Sequence, residues 1–251
     1  MTDIGPQAIL ATFLIFCRIG SCLMLMPGIG SPRVPTRVRL FLVLTITLAL
    51  APLLVPTVQA ATPNDSPVAV FGLIASESLI GAVIGLMGRM FFLALQFGGA
   101  SIAMLIGLSG TPDAHIEEDE PTAGVSSLLT FTATVLIFLT ELHWEMLRAL
   151  VDSYATVPVS KQLATNFGLL RIVDALTDGF LLALRISAPF IVYSLMINLM
   201  FGILGKLTPQ IPVYFISIPF VLAGGGMILF FTSTEILQIF IGGFSEWLTR
   251  L

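Results

Sequence analysis

Charge is what this chain has least of. Lys, Arg, Asp and Glu together make up 10% of its 251 residues, against 56% for the hydrophobic types, and the mean hydropathy is +1.01. Soluble domains devote about a quarter of their residues to charge. A water-soluble globular fold is therefore excluded, and an integral membrane protein surrounded by lipid is what remains. A net charge of −4 offers no basic surface to nucleic acid. Histidine is scarcer still, with His115 and His143 alone. There is no G-x-S-x-G elbow, H-E-x-x-H helix or Walker A loop, so hydrolase, zinc-protease and phosphate-binding chemistry have no foothold. His143 between Glu141 and Glu145 lacks zinc-protease spacing. Asp113, His115 and Glu117 do not follow the order of a calcium loop. We expect no enzyme, no metal and no cofactor. Cys17 and Cys22 are five apart, on different sides of a helix, and without C-x-x-C spacing they are apolar fillers. Residues 1–7 carry Asp3 and no base, so the chain does not open as a secretory signal does.

What the chain does have is apolar runs of about the twenty residues needed to cross a bilayer. They cover 4–26, 38–55, 68–88, 90–108, 123–142, 180–204 and 211–231. Placing Arg33, Arg37 and Arg39 on the cytoplasmic side and threading alternately brings Arg89, Arg148, Lys161, Arg171 and Arg250 to that side, leaving Lys206 outside. Cytoplasmic loops collect Lys and Arg. The threading gives about seven passes, with the N-terminus out and the C-terminus in.

These spans are not smooth cylinders. Gly81 and Gly85 form a small-x-x-x-small pair that Gly88 extends, so another backbone can approach closely. Glu77 lies on the same face by 3.6-residue arithmetic. A carboxylate inside an apolar span is a functional candidate by default. Glu77 is either a polar contact between helices or a carrier of protons or ions, and Arg18 carries the same two readings. As a contact, Glu77 should tolerate Gln; as a carrier it should not. Pro189, Pro209, Pro212 and Pro219 punctuate the last third, and Gly224, Gly225 and Gly226 stand together in the final run. Broken helices at membrane depth need protein or a water-filled cavity around them, which suggests a multi-chain assembly or a pore. Glu141, Glu145, Arg148 and Asp152, and again Arg171, Asp174 and Asp178, recur at helical steps as solvated faces.

One long polar interval, residues 105–124, separates two strongly apolar halves. It holds Asp113, Glu117, Glu118, Asp119 and Glu120, a third of the 15 acidic residues. Pro112, Pro121, Gly107, Gly110 and Gly124 oppose helix through it. A connection of that length is either functional or disordered.

The order of several short motifs resembles the FliR family of flagellar type III export-gate proteins. Arg18, Pro27-Gly28, Val34-Pro35, Arg39 and Pro52 are similar to its opening, and Glu77 to Gly85 and Gln96 to Gly107 to its middle. Arg185, Ala188-Pro189, Asn198, Gly202 and Pro209-Gln210 are similar to its final third. Where the family more often has an apolar residue and Asn after that last pair, this chain has Ile211-Pro212. The resemblance implies one membrane-embedded, all-α subunit of helical hairpins with broken helices: a helical part over 1–106, a plug-like loop over 107–124 and a second helical part over 125–251. It implies a pore-forming assembly with FliP-like and FliQ-like subunits, beside FlhB-like and FlhA-like proteins in a bacterial inner membrane, through which unfolded proteins pass. Gly107, Gly110 and Gly124 would act as hinges of the plug, and Ile106, Leu108 and Ile116 would touch the closed channel wall. The equivalent subunit of a virulence-type injectisome is the nearest alternative. A small secondary transporter is the alternative of a different class, although no internal duplication supports it.

Overall fold

The computed structural model describes residues 5–31, 34–61, 66–108, 124–159, 165–210 and 212–250. Seven helices follow in order: α1 (Pro6–Leu25), α2 (Thr36–Ala61), α3 (Pro67–Leu105), α4 (Gly124–Leu139), α5 (Leu142–Thr156), α6 (Thr165–Leu207) and α7 (Val213–Thr249), with no strand among the described residues. The protein is an all-α integral membrane protein. In hydrocarbon each backbone N–H and C=O needs an internal partner, which a helix supplies. The hydroxyls that interrupt the apolar runs are absorbed in the same way. Thr12 donates to the Ala8 carbonyl at 2.8 Å, Thr47 to Val43 at 2.8 Å and Thr134 to Thr130 at 2.8 Å.

The ends of the helices follow from local chemistry. Pro6 and Pro67 open α1 and α3, where the missing N–H costs nothing. The Ser66 hydroxyl oxygen accepts the Ala69 N–H at 3.1 Å. At the other end of α3, Gly107 takes φ +81, the Leu108 N–H donates to the Ala103 carbonyl at 2.8 Å and the Gly107 N–H donates to Met104 at 3.3 Å. That pair of bonds, with glycine in the left-handed region, is a Schellman cap.

Two expectations from hydropathy are corrected. Runs 68–88 and 90–108 are one continuous 39-residue helix, α3. Glycine and arginine at 88 and 89 lower the hydropathy, but neither breaks a helix as proline would. At about 58 Å, α3 is close to twice the thickness of a hydrocarbon core. Five described helices are long and apolar enough to cross a membrane, and α4 with α5 makes a sixth when counted across its bent break. The seven-pass threading therefore loses a crossing, and with it the side assigned to every later charge. Second, Pro189, Pro219 and the three glycines do not interrupt α6 or α7. The break comes after α4 instead, and Glu141, which precedes α5, takes φ 60.

The chain divides into two compact units, neither a continuous stretch of sequence. The first holds residues 1–90, 140–176 and 245–251. Its α1 and α2 form a hairpin, with Gly20 facing Val43. Gly28 turns the chain at φ +87, and Arg39 donates to the Val34 carbonyl at 3.0 Å and to Gly30 at 3.4 Å. The second unit holds 91–139 and 177–244. Its α6 and α7 run antiparallel. Leu182 meets Gly243, the Tyr193 hydroxyl donates to the Phe220 carbonyl at 2.7 Å, Phe201 lies 5.8 Å from Phe220 between ring centres, and Gly205 faces Val213. Phe92 packs edge-on to Phe240 at 5.1 Å and Phe91 to Phe244 at 6.0 Å. Ser126 on α4 donates to the Gln96 carbonyl of α3 at 2.9 Å.

Within this unit the three glycines have different surroundings. A methyl on Gly224 would fall on the Tyr193 ring, 2.7 Å from Cζ. One on Gly225 would fall 2.7 Å from Ile106 Cβ, and one on Gly226 would meet nothing within 4 Å. Gly226→Ala should be neutral or stabilise by up to about 1 kcal/mol through helix propensity. Gly225→Ala, one residue away, should cost about 1–3 kcal/mol through overpacking. Thermal aggregation of the detergent-solubilised variants checks the ordering. Equal midpoints would mean that Ile106 does not seat against α7.

Candidate functional site

Arg18 on α1 and Glu77 on α3 are fully buried and meet as a two-pronged ion pair. Nε donates to Oε2 at 2.6 Å and Nη2 donates to Oε1 at 2.8 Å. The planar guanidinium matches a carboxylate edge to edge, the strongest form of this contact. Its remaining N–H groups reach α5. Nη1 donates to the Ser153 carbonyl at 3.2 Å and its hydroxyl at 3.3 Å, and Nη2 donates to the Val157 carbonyl at 3.0 Å. All five N–H directions of the guanidinium are thus engaged. The Tyr154 ring covers its face, with the centroid 4.0 Å from Cζ. Val157 is the C-cap of α5, so the cation also sits where a helix leaves carbonyls unpaired and its dipole is negative.

The glycine line lets α1 and α3 come this close. A methyl on Gly81 would land on the Arg18 carbonyl, 2.9 Å from its carbon. One on Gly85 would land on the Cys22 carbonyl, and one on Gly88 at 3.3 Å from Met26 Cε and 3.4 Å from the Trp247 ring. Contacts advance together along both helices, from Arg18–Glu77 to Met26–Gly88, so α1 and α3 run parallel here. The arrangement is a saturated joint. Neither charge is exposed.

The sequence singled out Arg18 and Glu77 separately but did not pair them, since 59 positions lie between them. It missed Ser153 and Tyr154, and it read Val157 with Pro158 only as a turn, which is where α5 ends. The helical spacing of the α5 charges pointed to its solvated face, where Arg148 and Glu145 pair at 3.4 Å in the open. The buried face of the same helix carries the contact instead.

Of the polar interval, the structure describes the two ends. Ile106 is buried against Gly225, Gly107 caps α3, Leu108 is half-buried, and Gly124 is the first residue of α4. Gly110, Pro112, Asp113, Ile116, Glu117, Glu118, Asp119 and Glu120 lie outside the described residues. Pro209 and Gln210 occupy the exposed tip between α6 and α7.

Long apolar helices, two of them in a hairpin held to a third by a buried ion pair and a line of glycines, define a polytopic helical membrane protein. Residues 9–247 match the family described as Bacterial export proteins, family 1, and the chain belongs to that family. It is 30% identical over 235 residues to the flagellar biosynthetic protein FliR of Caulobacter vibrioides, covering 94% of this chain and 93% of that one. To the protein of the same name from Escherichia coli K12 it is 30% identical over 207 residues, with coverage of 79% and 75%. To that of Aquifex aeolicus it is 27% identical over 237 residues, with coverage of 91% and 88%.

The geometry revises what Glu77→Gln should do. A carboxamide turns an NH2 toward a guanidinium N–H and leaves a buried cation without its counter-charge. The change should therefore destabilise rather than pass unnoticed. Glu77→Leu and Arg18→Met should each cost about 3–5 kcal/mol alone, because each strands a buried charge. The double change Arg18→Met with Glu77→Leu should recover most of that loss. Accumulation in membranes and the thermal midpoint in detergent check this cycle. Losses that simply add in the double variant would mean the two residues are not a unit.

Proposed function

We propose that this chain is a structural and gating subunit of the bacterial flagellar type III protein-export gate, in the inner membrane within the flagellar basal body. In this reading it joins FliP-like and FliQ-like subunits in a helical channel for unfolded flagellar proteins, beside FlhB-like and FlhA-like proteins, with energy supplied elsewhere. The observation that carries it is the family match over residues 9–247, together with relatives named flagellar biosynthetic protein FliR that align along most of both chains. That naming favours the flagellar gate over the injectisome. The exposed apolar side chains along α6 and α7, among them Phe180, Leu195, Phe220 and Phe230, support a subunit with neighbours.

Within this reading, Arg18 and Glu77 are an assembly joint, and the interval 107–124 is the plug of the closed channel. A plug must reach the axis, leave it, and resist forming a stable helix. Its prolines and glycines, with like charges at 117 to 120, meet these conditions. Ile106 seated against Gly225 and the Schellman cap at Gly107 supply a firm base from which such a segment departs.

Deleting residues 109–122 should leave the assembly recoverable while the gate conducts small ions. Changing Glu117, Glu118, Asp119 and Glu120 to Gln should act more mildly, chiefly on the salt dependence of opening, since exposed charges are screened over about 8 Å at physiological ionic strength. Conductance across membranes holding the intact complex is the measurement. A deletion that assembles and stays as tight as wild type would remove the plug role.

A further inference from the structure

Glu235 is a carboxylate in an apolar helix of a different kind from Glu77. It lies within α7 and is exposed, with no hydrogen bond or ion pair among the described residues. Gln238, one turn further on, is in the same position. Met227, Phe231, Glu235, Gln238 and Gly242 recur at steps of three and four, so they share one face of α7, and all are exposed. A methyl on Gly242 would meet nothing within 4 Å, so the face is open to close approach there.

A neighbouring face of α7, with Ile236, Phe240 and Phe244, is buried within the chain, and this one is left uncovered. Lipid tails can cover Met227 and Phe231, but they offer nothing to a carboxylate and a carboxamide. The next charged residue along the helix, Glu246, is about 16 Å away. Nor is Glu235 neutralised by its own hairpin. Arg185 on α6 lies in the same stretch, between the Leu182–Gly243 and Tyr193–Gly224 contacts, yet it is exposed and unpaired with Glu235 among the described residues.

We propose that this face of α7 is a docking surface for a transmembrane helix of a different chain, one that brings a Lys or Arg to the level of Glu235. Charge complementarity selects that occupant. The apolar residues and Gly242 give the packing, Glu235 takes the cation, and Gln238 adds a hydrogen bond across the interface. The inference rests on the reading of the chain as one subunit of a multi-chain gate.

The test uses the full chain, tagged, in its own membrane and extracted in mild detergent. A photo-reactive benzoyl-phenylalanine at position 238 should be captured in a discrete adduct with a different protein chain. Glu235→Lys, placing like charges together, should lower both that adduct and the accompanying chains at least about tenfold, equivalent to about 1.4 kcal/mol. Glu235→Gln, still an acceptor, should stay within about threefold of wild type, about 0.65 kcal/mol by the same constant. If Glu235→Lys fails to accumulate, the adduct at 238 decides. Wild-type protein that brings its neighbours while Glu235→Lys recovers them undiminished would overturn the docking surface. So would an adduct with lipid or with a second copy of this chain. Wild-type protein that brings no other chain would overturn the gate reading itself, and this inference with it.

Discussion

The close approach of α1 and α3 is the constraint on which the first unit depends. Without side chains at Gly81, Gly85 and Gly88, the two backbones lie nearer than ordinary residues permit. Dispersion contacts are then gained along the whole line, in a solvent that gives no hydrophobic drive to helix pairing. Close packing alone would let the helices slide by a turn. The Arg18–Glu77 pair prevents it, because a slip would strand two charges in a dry interior. The same guanidinium holds the carbonyl end of α5, so one side chain sets the register of three helices far apart in sequence.

In the second unit, geometry rather than charge sets the fit. The α6–α7 hairpin accepts Tyr193 and Ile106 in the spaces left by Gly224 and Gly225, and the Tyr193 hydroxyl reaches the Phe220 carbonyl one residue after Pro219. The end of α3 is fixed by the same socket, and the polar interval begins there.

Much of this was legible in the residues, and what was not has physical causes. Helical periodicity placed Glu77 on the face of Gly81 and Gly88, where it lies, because such arithmetic holds within one helix. It could not supply Arg18 as the partner, since pairing across helices depends on topology. Hydropathy divided α3 at Gly88 and Arg89, because a window average responds to polarity, whereas a helix ends only where backbone bonding or φ demands it. The glycines at 224 to 226 looked like a break and are in part sockets, since a glycine's role depends on what faces it. The family resemblance noted on scattered short motifs agrees with membership over residues 9–247. Two of those motifs, Pro27-Gly28 and Val34-Pro35, belong to the connection that joins α1 to α2, and Arg39 in the first turn of α2 bonds back to it.

The chain belongs to a family of bacterial export proteins, and its longest helices keep much apolar surface uncovered within the chain. The most direct measurement is native mass spectrometry of the tagged protein, extracted gently from its own membrane, with every accompanying chain identified. One discrete multi-chain assembly of this chain with other helical membrane proteins is expected, and little monodisperse material when the chain is produced alone. A stable monomer that moves a small solute across vesicles would contradict it.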